Sequence, residues 1–420
     1  MIAVESNMIY EILKYADIIF LCLFAVSGLL MAHRVFYHFY GYTPALSFPK
    51  ARKNHSYAIV VPARYESDVI EGLLESIKNQ DYPKSLIKTF VIVESPDDPT
   101  CIICSNYENV ELFIRPDLNT QTKGGALKQF FSAMLENEYN FDAYFIFDAD
   151  NILAPTFISE MNSSFDSGYK LCIGFRNGKN WNSSSVAASN AAFFISINSY
   201  QNKCRTRFFR TGLIMGTGFL IAHDVIEKFC GWTFETLTED VELSFSAALR
   251  DIKVVFNERA MFFDEQPTSL RVSWKQRVRW LRGFHQTKYI RQKAFKKSIK
   301  EKNLGNFEIS LFYIPIVFTI TSIAIYIVFN VMLGAAAFFA GFGGYIPALF
   351  NALVVSLGTY MFCVIYFIVI VIGNLRHIDL KFSRAISAAL MYPVFLSFFA
   401  LSYFYCFFKK EVQWERINRE

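Results

Sequence analysis

Charge is what this chain is short of, and the shortage is concentrated. Only 19% of its 420 residues are Asp, Glu, Lys or Arg, and 53% are hydrophobic; a soluble domain carries about 25% charge. From Ile309 to Leu375, 67 residues, none of these four occurs, and Ala385 to Phe408 is a second such run of 24. One membrane span needs about 20 apolar residues. The composition excludes disordered, collagen-like and disulfide-scaffold chains. A spacing that would pair the eight cysteines is also lacking: Cys22, Cys363 and Cys406 lie in apolar runs, and Cys101 and Cys104 form a lone C-x-x-C. With no second pair at zinc-ribbon spacing, zinc is not expected. Free cysteines in the polar part suit a reducing compartment, the cytosol. No small-x-small cleavage site follows the apolar stretch Ile18–Ala32. That stretch is expected to stay as an anchor over residues 1–40 rather than leave as a signal peptide.

Between 41 and 270 the pattern changes. Tyr57–Val61, Lys88–Glu94 and Ala143–Asp148 read as strands, while Ser67–Gln80 and Lys123–Glu136 read as helices. This order predicts an α/β domain with a largely parallel sheet, whose ligands sit at the carboxyl ends of the strands. Residues Arg271–Lys302 then hold 12 Lys or Arg against one acid, Glu301, with Trp274, Trp280 and Phe284 among them. A solvated helix, a nucleic-acid surface and a helix on an anionic bilayer all have such composition. The direct run into apolar sequence favours the bilayer, so 271–308 is expected to be interfacial, with no nucleic-acid partner. Three spans are expected over 309–408, and the Gly/Ala-rich Gly334–Pro347 leaves room for a fourth. Lys409, Lys410, Arg416 and Arg419 in the tail 409–420 favour the cytoplasmic side.

Three constellations carry chemistry. Asp148-Ala-Asp150 closes an apolar strand. Two carboxylates there suit a hard divalent cation, although Asp is also common in the turn after a strand. Thr236-Leu-Thr-Glu-Asp240 precedes a helical run, Val241–Leu249. Its acids are either ordinary helix-start residues or, at Asp240, a general base. Gln276-Arg-Val-Arg-Trp280 puts Gln276, Arg279 and Trp280 on one helical face. Such a face suits phosphate oxygens and a sugar ring, and equally an interface belt.

The order D-x-D, T-E-D, Q-x-x-R-W and then apolar helices resembles the inverting family 2 glycosyltransferases. The likeness is to their membrane-embedded branch, which includes cellulose, hyaluronan, chitin-oligosaccharide and poly-N-acetylglucosamine synthases. Shorter stretches agree. Val61-Pro-Ala-Arg-Tyr-Glu66 resembles that family's first-strand motif, with Tyr65 where Asn is usual. Glu94-Ser-Pro-Asp-Asp-Pro-Thr100 resembles its acidic turn, with Glu94 and Asp98 at the acid positions. Lys123-Gly-Gly-Ala-Leu127 and Gly216-Thr-Gly-Phe219 resemble its donor and acceptor segments.

The resemblance implies a GT-A fold and a nucleotide-sugar donor, with Mg²⁺ or Mn²⁺ at Asp148 and Asp150. It implies donor contacts at Ala63, Arg64, Glu66, Glu94, Asp98, Lys123, Gly125, Gln276 and Arg279. Acceptor contacts would fall at Trp280, Gly216, Thr217, Gly218 and Glu239, with Asp240 as the base. The expected product is a β-linked polysaccharide. A single sugar placed on a membrane lipid is the alternative, because ceramide glucosyltransferases carry a similar Q-x-x-R-W. A bacterial plasma membrane, a cytoplasmic catalytic domain, and an accessory export subunit or homo-oligomer complete the expectation. A non-catalytic transporter is disfavoured, since Ile309–Leu375 lacks the ionisable groups such proteins place in their spans.

Overall fold

The computed structural model describes residues 2–137, 141–312, 314–339 and 345–408. Residues 340–344 and 409–420 lie outside these, and with them the expectations for the tail's side and for a fourth span within Gly334–Pro347.

A 40-residue helix, α1 (Ile2–Gly41), leads into the strands β1 (Tyr57–Pro62), β2 (Ile87–Val93), β3 (Val110–Ile114) and β4 (Ala143–Ile146). Between them lie α2 (Ile70–Lys78), α3 (Thr100–Cys104) and α4 (Lys123–Glu136). Then follow β5 (Ile152–Leu153), α5 (Phe157–Asp166), β6 (Leu171–Gly178) and α6 (Ser185–Ser196). The last runs through a π-helical stretch, Ile197–Asn202, into α7 (Lys203–Phe208). Next come β7 (Phe219–Ala222), α8 (His223–Lys228), α9 (Glu239–Leu249) and β8 (Val254–Asp264). The chain ends in helices: α10 (Leu270–Gln286), α11 (Lys288–Lys300), α12 (Leu304–Ser310), α13 (Ile314–Phe339), α14 (Tyr345–Gly373) and α15 (Phe382–Phe408).

The eight strands form one sheet in the order β3-β2-β1-β4-β7-β6-β8-β5. The first four are parallel, as expected. Their residues are apolar on both faces because helices cover both sides: Tyr57, Ala58, Ile59, Val60 and Val61 are all buried. The expectation of a largely parallel sheet fails beyond β4. There β7 runs antiparallel to β4 and to β6, and β5 antiparallel to β8. The sheet is therefore mixed. Since β7 reverses direction twice over, β6 and β8 end at the same edge as β1, β2 and β4.

Helix ends differ from the periodic pattern where side chains intervene. The helix expected over Ser67–Gln80 spans Ile70–Lys78, with Ile70, Leu73, Leu74 and Ile77 buried. Gln80 falls outside it because its amide bonds the Ser76 and Ala154 carbonyls and accepts from the Ile158 amide. The strand expected to reach Asp148 ends at Ile146, where the Asp148 amide turns to Thr217 Oγ1 at 2.8 Å. By contrast α4 spans Lys123–Glu136 as expected, capped by Thr122 accepting from the Gly125 amide.

The basic stretch Arg271–Lys302 is divided between α10 and α11, and Arg277 is fully buried. Beyond it, Val317–Phe339, Ile346–Gly373 and Phe382–Cys406 are each long and apolar enough to cross a membrane. Within α1, Tyr15–Leu29 is an apolar helical stretch among the described residues. It packs on α13 through Phe20 and Phe329, and Asn330 donates to Asp17.

Candidate active site

Parallel strands deliver their following residues to one edge, and a cavity opens there. Ala63 and Arg64 follow β1, Glu94 follows β2, and Asp148 and Asp150 follow β4; all five line the cavity. So do Glu66, Lys123, Gly216, Glu239, Asp240, Gln276, Arg279 and Trp280. The motifs spread over more than 200 residues thus converge.

Four of the expected contacts do not line it. Asp98 is buried, and its carboxylate accepts from the Tyr65 and Thr100 amides at 2.8 and 2.9 Å. It shapes the loop after β1, where Tyr65 holds φ 55°, a left-handed conformation that Asn adopts more readily than Tyr. Thr217 stands behind the D-x-D turn, accepting from the Asp148 amide and donating to Asn151. At Gly218, φ is +69° and a Cβ would meet the Phe262 ring at 2.0 Å, so the glycine serves packing. Gly125 sits in the first turn of α4, against Thr120.

At the D-x-D corner, Lys123 Nζ lies 2.5 Å from Asp148 Oδ1 and 2.7 Å from the Gly216 carbonyl. Its side chain is only 18% exposed, so it is no ordinary surface cation before a turn. Burial alone would raise the Asp148 pKa. The Lys123 ammonium and its hydrogen bond, helped by Arg176 and Arg279, outweigh that and hold the carboxyl below its usual value.

At the T-E-D corner the balance is reversed. Glu239 and Asp240 open α9, where the helix dipole favours negative charge. Burial nevertheless dominates, and each carboxylate repels the other. Glu239 is pushed up to about 7, and Asp240 is raised despite amides of Val241 and Gly216 donating to it. Lys123 reaches both corners, with Nζ 4.0 Å from Glu239. Gln276 and Arg279 face the same space from α10. The Trp280 indole meets Phe194 edge-on at 5.8 Å.

At the far end Glu94 is clamped between two guanidiniums, with Arg64 Nε at 2.8 Å and Arg115 Nη1 at 3.4 Å. Arg115 follows β3. Two further residues come from strands that the sequence reading did not identify: Arg176 within β6 and Asp264 at the end of β8. Arg176 Nε donates to Asp264 at 2.7 Å and its guanidinium stacks 3.6 Å from the Phe194 centroid. Burial raises Asp264, which also accepts from Gln266 at 2.6 Å. The signal for all three was available, since each lies at or near the carboxyl end of a strand.

The donor set at Asp148 and Asp150 fits a hard divalent cation, because Asp148 is held ionised and both carboxylates open on the cavity. Among the described residues no group of three His, Cys, Asp or Glu side chains is arranged to hold a metal. A cation here would draw its other oxygens from phosphates and water.

Comparison with known proteins agrees with this geometry. The chain is 26% identical over 290 residues to a probable glycosyltransferase, YdaM, of Bacillus subtilis, covering 62% of this chain and 66% of that one. It is 25% identical to the beta-monoglucosyldiacylglycerol synthase of Trichormus variabilis, covering 54% and 49%. It is 24% identical to the poly-beta-1,6-N-acetyl-D-glucosamine synthase of Staphylococcus epidermidis, covering 57% and 56%. The chain thus spans about half to two thirds of the length of these relatives. Among solved structures, a Pyrobaculum calidifontis mannosyltransferase in complex with GDP-Man and Mn²⁺ superposes with a TM-score of 0.52. That match is 15% identical, covers 84% of this chain and 99% of the other, and shows a shared GT-A-like fold. A family model described as glycosyltransferase-like family 2 matches residues 54–283, more than half of the chain, and the chain belongs to that family.

Proposed function

We propose that this protein is a membrane-bound inverting glycosyltransferase that moves a sugar from a UDP-type donor to a growing polysaccharide, forming β-linkages. The observation that carries the proposal is one cavity with two unlike carboxylate corners. Asp148 is held ionised by Lys123, while burial raises Asp240 above the ordinary carboxylate value. The donor's nucleoside lies toward Arg64, Glu94 and Arg115, and its diphosphate toward Lys123, Gln276 and Arg279. Mg²⁺ or Mn²⁺ held by Asp148 and Asp150 would supply neutralising charge to the departing diphosphate. Trp280 offers the acceptor sugar an apolar face. Asp240 takes the proton of the acceptor hydroxyl. That oxygen bonds to the anomeric carbon as the bond to the diphosphate oxygen breaks, and the nucleoside diphosphate leaves from the opposite face. Placement in a plasma membrane, with this cavity on the cytoplasmic side, belongs to the same proposal.

The second reading is transfer of one sugar to a lipid, and two observations favour it. A relative is named a glucosyldiacylglycerol synthase, and Phe194 and Met215 make part of the cavity wall apolar. The test is purified full chain in nanodiscs with Mn²⁺, a panel of radiolabelled UDP-sugars, and Asp240→Asn as control. High-molecular-weight label that the variant abolishes supports the synthase. Label only in the organic phase supports the lipid transferase. No Asp240-dependent transfer from any UDP-sugar overturns both.

A further inference from the structure

The helices α14 and α15 are both long and apolar enough to cross a membrane, but they meet the rest of the protein differently. α14 joins the sheet domain through its C-terminal turns, where Tyr200 donates to the Val369 carbonyl, and Ser199 donates to Asn374 just beyond the helix, at 2.6 Å. α15 stays against that domain from end to end. Ser185, at the start of α6, donates to Ser387 at 2.9 Å. Eight and twelve residues on, Phe395 and Phe399 pack on Phe193 and receive the Arg277 guanidinium at 3.8 and 4.7 Å from their centroids. Further on, Tyr403 lies on His285 at 4.8 Å, and Cys406 Sγ donates to the Val278 carbonyl at 3.3 Å.

From Ser387 to Cys406 this contact runs about 28 Å at 1.5 Å per residue. The hydrocarbon core of a bilayer is about 30 Å thick. Were α15 to cross it, α10 would be drawn in alongside, and α10 carries Arg271, Lys275, Arg277, Arg279 and Arg282. Each such charge is costly at the centre of a bilayer. The other face of α15 has the pattern of a surface helix. Phe382, Ile386, Leu390, Leu401, Phe404 and Phe408 form one exposed apolar stripe, opposite the buried Ala388, Tyr392, Phe395, Phe399 and Cys406.

We infer that α15 does not span the membrane but lies in its surface plane, stripe in the lipid and opposite face on α6, α10 and the C-terminal half of α14, where Tyr360 donates to the Leu390 carbonyl and Phe367 packs on Tyr392. Phe408, at the end of α15, then lies on the side of the sheet domain. That agrees with the sign of Lys409, Lys410, Arg416 and Arg419 in the tail. It also sets the acceptor end of the cavity, at Phe194 and Trp280, one layer of side chains from the bilayer surface. The inference rests on α13 and α14 crossing as a hairpin, and not on the proposed activity.

The test uses the full chain in sealed vesicles of phosphatidylcholine and phosphatidylglycerol. Cys22, Cys101 and Cys363 are replaced by Ser, and exposed Cys230 is kept as the marker of the domain side. Gly343→Cys reports residues 340–344, between α13 and α14, and Arg416→Cys the tail. A membrane-impermeant maleimide should label Arg416→Cys from the same side as Cys230, and Gly343→Cys from the other. Labelling of Arg416→Cys with Gly343→Cys overturns the inference, and Gly343→Cys on the Cys230 side removes the hairpin on which it rests. Spin labels at Ile386→Cys and Leu401→Cys should lie at one shallow depth, about 5–10 Å below the headgroups. A difference approaching half the bilayer thickness also overturns it.

Discussion

Two acidic corners face each other across one cavity, and the protein treats them in opposite ways. Asp148 has a cation at 2.5 Å and is held ionised; Glu239 and Asp240 have each other as neighbours and are pushed toward neutrality. Burial differs between them, since the Asp148 side chain is 42% exposed and that of Glu239 10%. The position of one ammonium adds to this, since Lys123 Nζ bonds Asp148 and stands 4.0 Å from Glu239. One corner is thereby suited to hold positive charge and the other to accept a proton.

The contrast can be broken residue by residue. Asp240→Asn should have the largest effect, lowering kcat by about 10²–10⁴-fold while donor binding persists; kcat and UDP-sugar affinity measured on the same preparation check this. Lys123→Met should come next. It leaves Asp148 without its cation, at about 1–3 kcal/mol of folding stability by denaturant titration. Asp148 then titrates higher, so activity is lost at the acid end of the pH profile first.

Glu239→Gln removes the like charge beside Asp240, and the acid limb of kcat/KM should move to lower pH. Stability has a defined sign here. With its carboxyl raised to about 7, Glu239 favours the fold at low pH, and that contribution is lost as pH rises through about 7. The Gln variant should therefore have a higher Tm than the parent at pH 8 and nearly the same Tm at pH 4.5. The smallest effect is expected from Asp264→Asn, which frees Arg176 from its partner. A several-fold rise in acceptor KM with kcat nearly kept would mark Asp264 as a positioning residue; loss of kcat alone would contradict that.

Much of the cavity was legible because its parts are local. The Lys123–Glu136 helix, the carboxylates after β4 and the shared face of Gln276, Arg279 and Trp280 each follow from spacing along the chain. Asp98 and Thr217 looked like ligand contacts and are supports, because an acid or hydroxyl near a strand end can turn toward backbone amides as readily as toward solvent. Arg115, Arg176 and Asp264 went unnoticed although the rule that found Asp148 applies to them. Their strands lie on the half of the sheet where β7 reverses direction, or at its edge, and no periodicity announces that order.

The sequence by itself determined that this chain has a sheet-based domain, a basic junction and long apolar helices, because side-chain periodicity and uncharged length are properties of neighbouring residues. It also determined the order of the D-x-D, T-E-D and Q-x-x-R-W segments. Only the tertiary structure decided which carboxylate is ionised, since that depends on a lysine 25 residues away in the chain meeting Asp148 in space. It also decided how α15 lies. Length and hydropathy say that a helix is able to cross a bilayer, but its packing on α6 and α10 keeps it beside the domain, because charges on α10 cannot follow it into hydrocarbon.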